Sequence, residues 1–150
     1  MTDKKEASFV EEKVLDFTSK QLYDLAMDVK QYPEFLPWCS KIEIVKTDPM
    51  VVDMTIKYGF FSETIRSFIR AEHDGAGNYK IFIKADEGVF KYFQSEWEFL
   101  GLADDKCKVS YSLEFKFSNF FIEKAISLVF SKASNLIINS FEQQAKKLYN

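Results

Sequence analysis

The stretch from Lys108 to Phe117 constrains the fold more than any other. Val109, Tyr111, Leu113, Phe115 and Phe117 alternate there without a break with Lys108, Ser110, Ser112, Glu114 and Lys116. A period of two puts the apolar side chains on one face of an extended chain and the polar ones on the other, as in a sheet wet on one side only. The pattern then changes at once. Ser118 or Asn119 is placed to cap a long helix from about Phe120 to Leu148. Its seam reads Ile122, Ile126, Val129, Ala133, Leu136, Ile137, Phe141 and Leu148. The early turns are apolar nearly all round, because Phe120, Phe121, Ala125, Leu128 and Phe130 fall outside that seam, whereas Glu142, Gln143, Lys146 and Lys147 keep the last turns amphipathic.

Upstream, residues 8–17 read as a first strand, and Thr18 to Gln21 has the spacing of a capping box. Leu22, Leu25, Ala26 and Val29 then predict a short helix, and Pro33 suits the first turn of a second one through Phe35 and Leu36, ended by Pro37. Period two takes over afterwards. Ile42 and Ile44 share a face, as do Val52, Met54 and Ile56, then Ile65, Ser67 and Ile69, then Ile81 and Ile83, then Phe93, Ser95, Trp97 and Phe99. Asp48-Pro49, Gly59, the run His73 to Asn78 and Ala103-Asp104-Asp105 supply the reversals. The expected fold is α+β: a curled antiparallel sheet of about seven strands around a long C-terminal helix, with two short helices after the first strand. No repeat or linker interrupts the 150 residues, so a single domain is expected over 1–150, with residues 1–7 flexible.

Composition matters in one respect. Sixteen Phe with 7 Tyr and 2 Trp make 17% of the chain aromatic. A large aromatic can bury about 150–250 Å², so this bulk forms an unusually dense core, lines a cavity or meets a partner. The mixed charges exclude disorder. No stretch approaches the roughly 20 apolar residues of a spanning helix, and the N-terminus lacks a signal-peptide core. A cytoplasmic location is therefore expected, with Cys39 and Cys107 as thiols. The net charge of −3 disfavours a general nucleic-acid binder, DNA included.

Catalytic patterns are thin. His73, the lone histidine, sits in a turn without a nucleophile motif beside it, and Asp86-Glu87 would point to opposite faces of an extended chain. No phosphate loop or set of metal ligands is present in the sequence. More distinctive is the run from Asp28 to Cys39, whose two prolines and three aromatics are too apolar for a simple connection. It can plug one end of the curled sheet, gate a pocket mouth, or do both. Gly88-Val89-Phe90, leading into Phe93, Trp97 and Phe99, can equally pack a core or line a cavity.

Tyr23, Asp28-Val29, Tyr32-Pro33, Phe35 to Cys39, Gly88, Phe90, Trp97, Phe99 and Leu113 to Asn119 together resemble the coenzyme-Q-binding START-like family. That family sits in the polyketide cyclase/dehydrase and lipid-transport superfamily and includes bacterial ribosome-association toxins. The resemblance runs from about Phe9 to Tyr149 and implies a helix-grip (START-like) fold. It also implies non-enzymatic binding of a ubiquinone-like quinone or polyprenyl lipid in a hydrophobic tunnel, in support of respiration or ubiquinone biosynthesis. Two positions depart from the family pattern. Val89 stands where a Pro usually follows the glycine, and Phe68, flanked by Arg66 and Arg70, stands where relatives tend to carry a basic residue.

Under the lipid reading the candidate lining residues are Met54, Ile65, Ile83, Phe93, Trp97, Phe99, Tyr111, Phe115, Val129, Ala133 and Ile137, with Phe35, Leu36 and Trp38 near the mouth. The over-apolar start of the long helix, edged by Lys124 and Lys132, can touch a membrane while cargo is exchanged. One alternative is a regulator that binds the large ribosomal subunit through Lys41, Lys46, Lys57, Arg66 and Arg70 on the convex face. Another is a polyketide cyclase, for which Tyr111 and Glu98 are the nearest acid–base candidates, Glu98 having the wrong parity. No metal and no cofactor other than the lipid ligand is expected.

Overall fold

The computed structural model describes residues 7–58 and 61–149, the side chains at positions 7, 58, 61, 122 and 125–135 excepted. Strand β1 (Ala7–Leu15) leads to helix α1 (Ser19–Met27), a single 3-10 turn (Val29–Gln31) and the one-turn helix α2 (Tyr32–Phe35). Strands β2 (Cys39–Thr47), β3 (Met50–Tyr58), β4 (Phe61–His73), β5 (Asn78–Ala85), β6 (Phe90–Leu102) and β7 (Lys106–Phe117) follow, and helix α3 (Phe120–Tyr149) ends the chain. The strands form one antiparallel sheet in the order β1-β7-β6-β5-β4-β3-β2. This is a meander closed at one edge by the first strand. The helix-grip expectation is met.

Local chemistry fixes the joints. Thr18 caps α1 through a full capping box: its hydroxyl accepts from the Gln21 N–H at 3.1 Å, and the Gln21 side chain accepts from the Thr18 N–H at 3.0 Å. The Asp74 carboxylate accepts from the Ala76 and Asn78 N–H groups, closing the β4–β5 turn with Gly75 and Gly77 at positive φ. Ser19 donates to the Gly77 carbonyl at 2.6 Å, so the start of α1 is pinned to that turn. Gly101 lies beneath the same junction, where an added Cβ would stand 3.0 Å from the Gly77 carbonyl oxygen.

The inner face of the sheet carries the core. Trp97 meets Phe99, Tyr111 and Phe141 at ring separations of 5.6, 4.6 and 4.8 Å, which joins β6, β7 and α3. The exposed Val10 and Val14 lie on the opposite face of β1 from the buried Leu15.

Several expectations change. β1 stops at Leu15, and Phe17 reaches the core from the following bend. β1 also starts at Ala7, paired with Phe115, the last residue of the stretch expected to be flexible; residues 1–6 lie outside the described residues, as does Gly59. In α3 the expected seam residues Leu136 and Leu148 face out, Leu136 being 48% exposed. Phe141 is buried as expected, and Ile138, Gln144 and Ala145 are buried in place of the two leucines. The reason lies at the helix end, where the Tyr149 hydroxyl donates to the Gln21 carbonyl at 3.1 Å and its ring meets Phe17. Docking against α1 turns the last turns of α3 so that Tyr149, rather than Leu148, lies over the core. Ile122, Ile126, Val129 and Ala133 lie outside the described side chains.

Candidate ligand cavity between sheet and helix

A cavity of about 120 Å³ lies between the inner face of the sheet, the segment around α2 and helix α3. Period two in the strands aims Met54 and Ile56 of β3, Ile65 and Ser67 of β4, Ile83 of β5 and Phe93, Ser95 and Trp97 of β6 into one space. Tyr111 and Leu113 of β7 close the floor, and Ile137 and Phe141 of α3 cover it. Tyr32 and Leu36, one helical turn apart, bring the α2 segment to the rim beside Trp38.

The sequence-derived candidates divide accordingly. Leu36, Trp38, Met54, Ile65, Ile83, Phe93, Trp97, Tyr111 and Ile137 border the cavity. Phe35, Phe99 and Phe115 do not. Phe35 turns toward Tyr32 and Phe141, with ring separations of 5.9 and 5.1 Å, and so braces the rim from behind. Phe99 shares a face with Trp97 but lies further along β6, where with Leu15, Leu22, Val109 and Ile138 it borders a separate, much smaller void. Phe115 is packed between Phe90 and Phe117 at the opposite end of the strands. Val129 and Ala133 lie outside the described side chains.

Sequence reasoning missed Tyr32, Ile56, Ser67, Phe90, Ser95, Leu113 and Phe141 as cavity-bordering residues. Parity was a usable signal for Ile56, Ser67, Ser95 and Leu113, whose partners two residues away were already candidates. Tyr32 lay in the aromatic run from Asp28 to Cys39 and Phe141 in the helix seam, but nothing local singled either out from its neighbours as a cavity residue.

Chemically, the site is apolar and uncharged. Among the described residues that border it none is acidic or basic. Its polar side-chain groups are hydroxyls and the indoles of Trp38 and Trp97. Tyr32 donates to the Ala26 carbonyl, which ties α2 back to α1, and burial drives its phenol far above the ordinary tyrosine range. Burial also pushes the Tyr111 phenol up to about 12, a rise tempered by the nearby Ser95 hydroxyl. Ser95 Oγ is buried with no hydrogen-bond partner. Both phenols therefore stay protonated at neutral pH.

Other candidates lie elsewhere. His73 is exposed at the end of β4, and Glu98 faces outward in a 3.8 Å ion pair with Lys80. Cys39 and Cys107 are free and buried, their thiols pushed up to about 11 and about 12. On the outer face Arg66 makes two hydrogen bonds to Asp53 at 2.8 and 2.9 Å. Arg70 bonds Glu72 and lies 4.3 Å over the Phe82 ring. A larger depression of about 810 Å³ mixes outer-face charges such as Arg70, Lys84 and Glu96 with the Asp48-Pro49 turn.

Residues 15–142 match the family described as polyketide cyclase / dehydrase and lipid transport. The chain belongs to that family. Among curated members, it is 30% identical to the ribosome association toxin RatA of Rickettsia prowazekii, over 94% of this chain and 97% of the relative. It is 24% identical to the mitochondrial coenzyme Q-binding protein COQ10 homolog B of Xenopus laevis, over 97% of this chain and 60% of that protein. Solved structures agree on the architecture of the family. The Zhui aromatase/cyclase of Streptomyces sp. R1128 superposes with a TM-score of 0.80 at 14% identity, over 97% of this chain and 96% of that one. A START superfamily protein from Mycobacterium smegmatis gives 0.74 at 11%, over 94% and 98%. At such identities these likenesses speak for the fold alone.

Proposed function

We propose that this protein holds a neutral, apolar ligand of the lipid class, a lipophilic quinone or related polyprenyl lipid, in the cavity between sheet and α3, and that it carries or presents the ligand without converting it. The observation that carries this reading is the cavity itself: a floor of aromatic and aliphatic side chains with no charged group among the described residues. Burial of ligand surface there contributes about 25 cal/mol per Å². Similarity to a protein named for coenzyme Q binding supports the quinone class. At about 120 Å³ the space is smaller than the roughly 300–1,000 Å³ of sites for drug-sized ligands. It suits a ring and the first part of a tail, with the remainder running out past α2. The phenols give the site proton donors and no base at neutral pH, which favours holding over cyclisation.

Phe120 and Phe121, 63% and 81% exposed at the start of α3, form an apolar tip with Lys124 beside the Phe120 ring. We assign to that tip the contact with a membrane surface at which ligand is exchanged.

The test is organic extraction of protein purified from its native host, followed by mass spectrometry. A quinone or polyprenyl lipid in near-stoichiometric amount is expected. An extract free of lipid, together with no binding of a decyl-benzoquinone in solution, overturns the reading.

A second reading is association with ribosomes. It is favoured by identity to RatA proteins over more than nine-tenths of the chain. The outer face gives it mixed support, since Arg66 and Arg70 are matched by Asp53 and Glu72. Co-sedimentation with large subunits at low and moderate salt separates the two readings, because a basic contact surface weakens steeply with salt.

A further inference from the structure

We propose that Ser95 and Tyr111 form the polar end of the cavity and hold a neutral carbonyl oxygen of the bound ligand. The assignment rests on the reading of the cavity as a ligand site, and it deepens that reading by fixing which end of the ligand lies deepest.

Ser95 stands in the middle of β6, between Ile83 of β5 and Leu113 of β7 in register. It is 5% exposed and borders the cavity, and its Oγ is without a hydrogen-bond partner. A buried hydroxyl in that state destabilises the protein relative to alanine. Such a group persists where something outside the chain completes it. Among the described residues Glu11 Oε1 is in the same condition, but Glu11 does not border the cavity.

Tyr111 supplies the second donor. It is the register partner of Trp97, which sits two residues beyond Ser95, so Tyr111 and Ser95 are diagonal neighbours on one face. Its phenol remains protonated and can donate. A carbonyl oxygen has two lone pairs and can accept from both hydroxyls at once. A hydrocarbon would leave the Ser95 hydroxyl unpaired. A carboxylate or phosphate would enter a space with no compensating cation among the described residues that border it, at a large desolvation cost. The chemistry that fits is a neutral carbonyl on an apolar body, such as a quinone ring oxygen.

The experiment compares two probes of matched bulk, 2-decyl-1,4-benzoquinone and decylbenzene, titrated into the full chain, Ser95→Ala and Tyr111→Phe. The wild type is expected to prefer the quinone, and each variant to lose about tenfold in quinone affinity, as one net hydrogen bond implies, while decylbenzene affinity is unchanged. Ligand-free Ser95→Ala is expected to unfold at the same or a higher temperature, so that stability and affinity move apart. A purely packing role would move both together and weaken both probes alike. Equal wild-type affinity for the two probes, or equal loss of both in the variants, overturns the carbonyl assignment while the cavity reading stands. A wild type that binds neither probe overturns the cavity reading, and this assignment with it.

Discussion

Phe141 brings together groups that are far apart in the sequence. Its ring meets Trp97 at 4.8 Å, Tyr32 at 5.5 Å and Phe35 at 5.1 Å, all close to edge-on, so one side chain ties α3 to the sheet and to the α2 segment. Phe141→Ala should lower stability by about 3–5 kcal/mol, read as a lower urea midpoint with an unchanged slope. A second residue-level effect concerns pH. Cys39, Cys107 and Tyr111 are held protonated, at about 11, about 12 and about 12, because burial penalises the charged forms. In the unfolded chain the thiols ionise near 9.0. Above that pH the folded chain keeps protons that the unfolded chain releases, so stability must fall as pH rises from about 9. Urea midpoints measured from pH 8 to 10.5 should decline, and Cys107→Ala should make the decline shallower. Parity along the strands made the inward side of Trp97 and Phe99 legible in the sequence, but parity is blind to position along a strand. That is why Phe99 and Phe115, inward as expected, lie beyond the two ends of the cavity.

At the scale of elements, the legible parts were those decided by neighbours in the chain. Thr18 and Gln21 are three residues apart and form the capping box their spacing implies. The alternation in β7 appears intact as buried and outward positions. The seam of α3 was only half legible, since its rotation is set by Tyr149 reaching Gln21, a contact across most of the chain. The start of α3 poses the opposite case. Phe120 and Phe121 are outside the sheet's cover, and such a pair on a water-facing helix end is costly unless it meets an apolar surface. Replacing both with Ser should leave the urea midpoint nearly unchanged, because exposed rings contribute little to folding. The same change should reduce flotation with anionic phosphatidylcholine/phosphatidylglycerol vesicles several-fold. Equal flotation of the two proteins would remove the membrane contact from the proposal.

For the whole molecule, the placement of the cavity decides how binding and folding are coupled. It is bordered by α2, α3 and β3 to β7, so nearly every element contributes a surface to it. Unfolding destroys the site entirely, and a ligand that binds only the folded chain stabilises it by RT ln(1 + [L]/Kd). At a hundredfold excess over Kd that amounts to about 2.7 kcal/mol. For a chain of this size each kcal/mol moves the midpoint by about 2–4 °C, so thermal unfolding should shift upward by roughly 5–11 °C. The shift should grow with the logarithm of ligand concentration and vanish for a water-soluble quinone lacking the tail. Protection against amide hydrogen exchange should rise with it in β6, β7 and the second half of α3, whose side chains border the space. The β4–β5 turn should not change, because Asp74 and Gly77 close it at the far side of α1. A shift that appears in Tm without protection in β6 and β7 would place the ligand on the exposed tip of α3 rather than between helix and sheet.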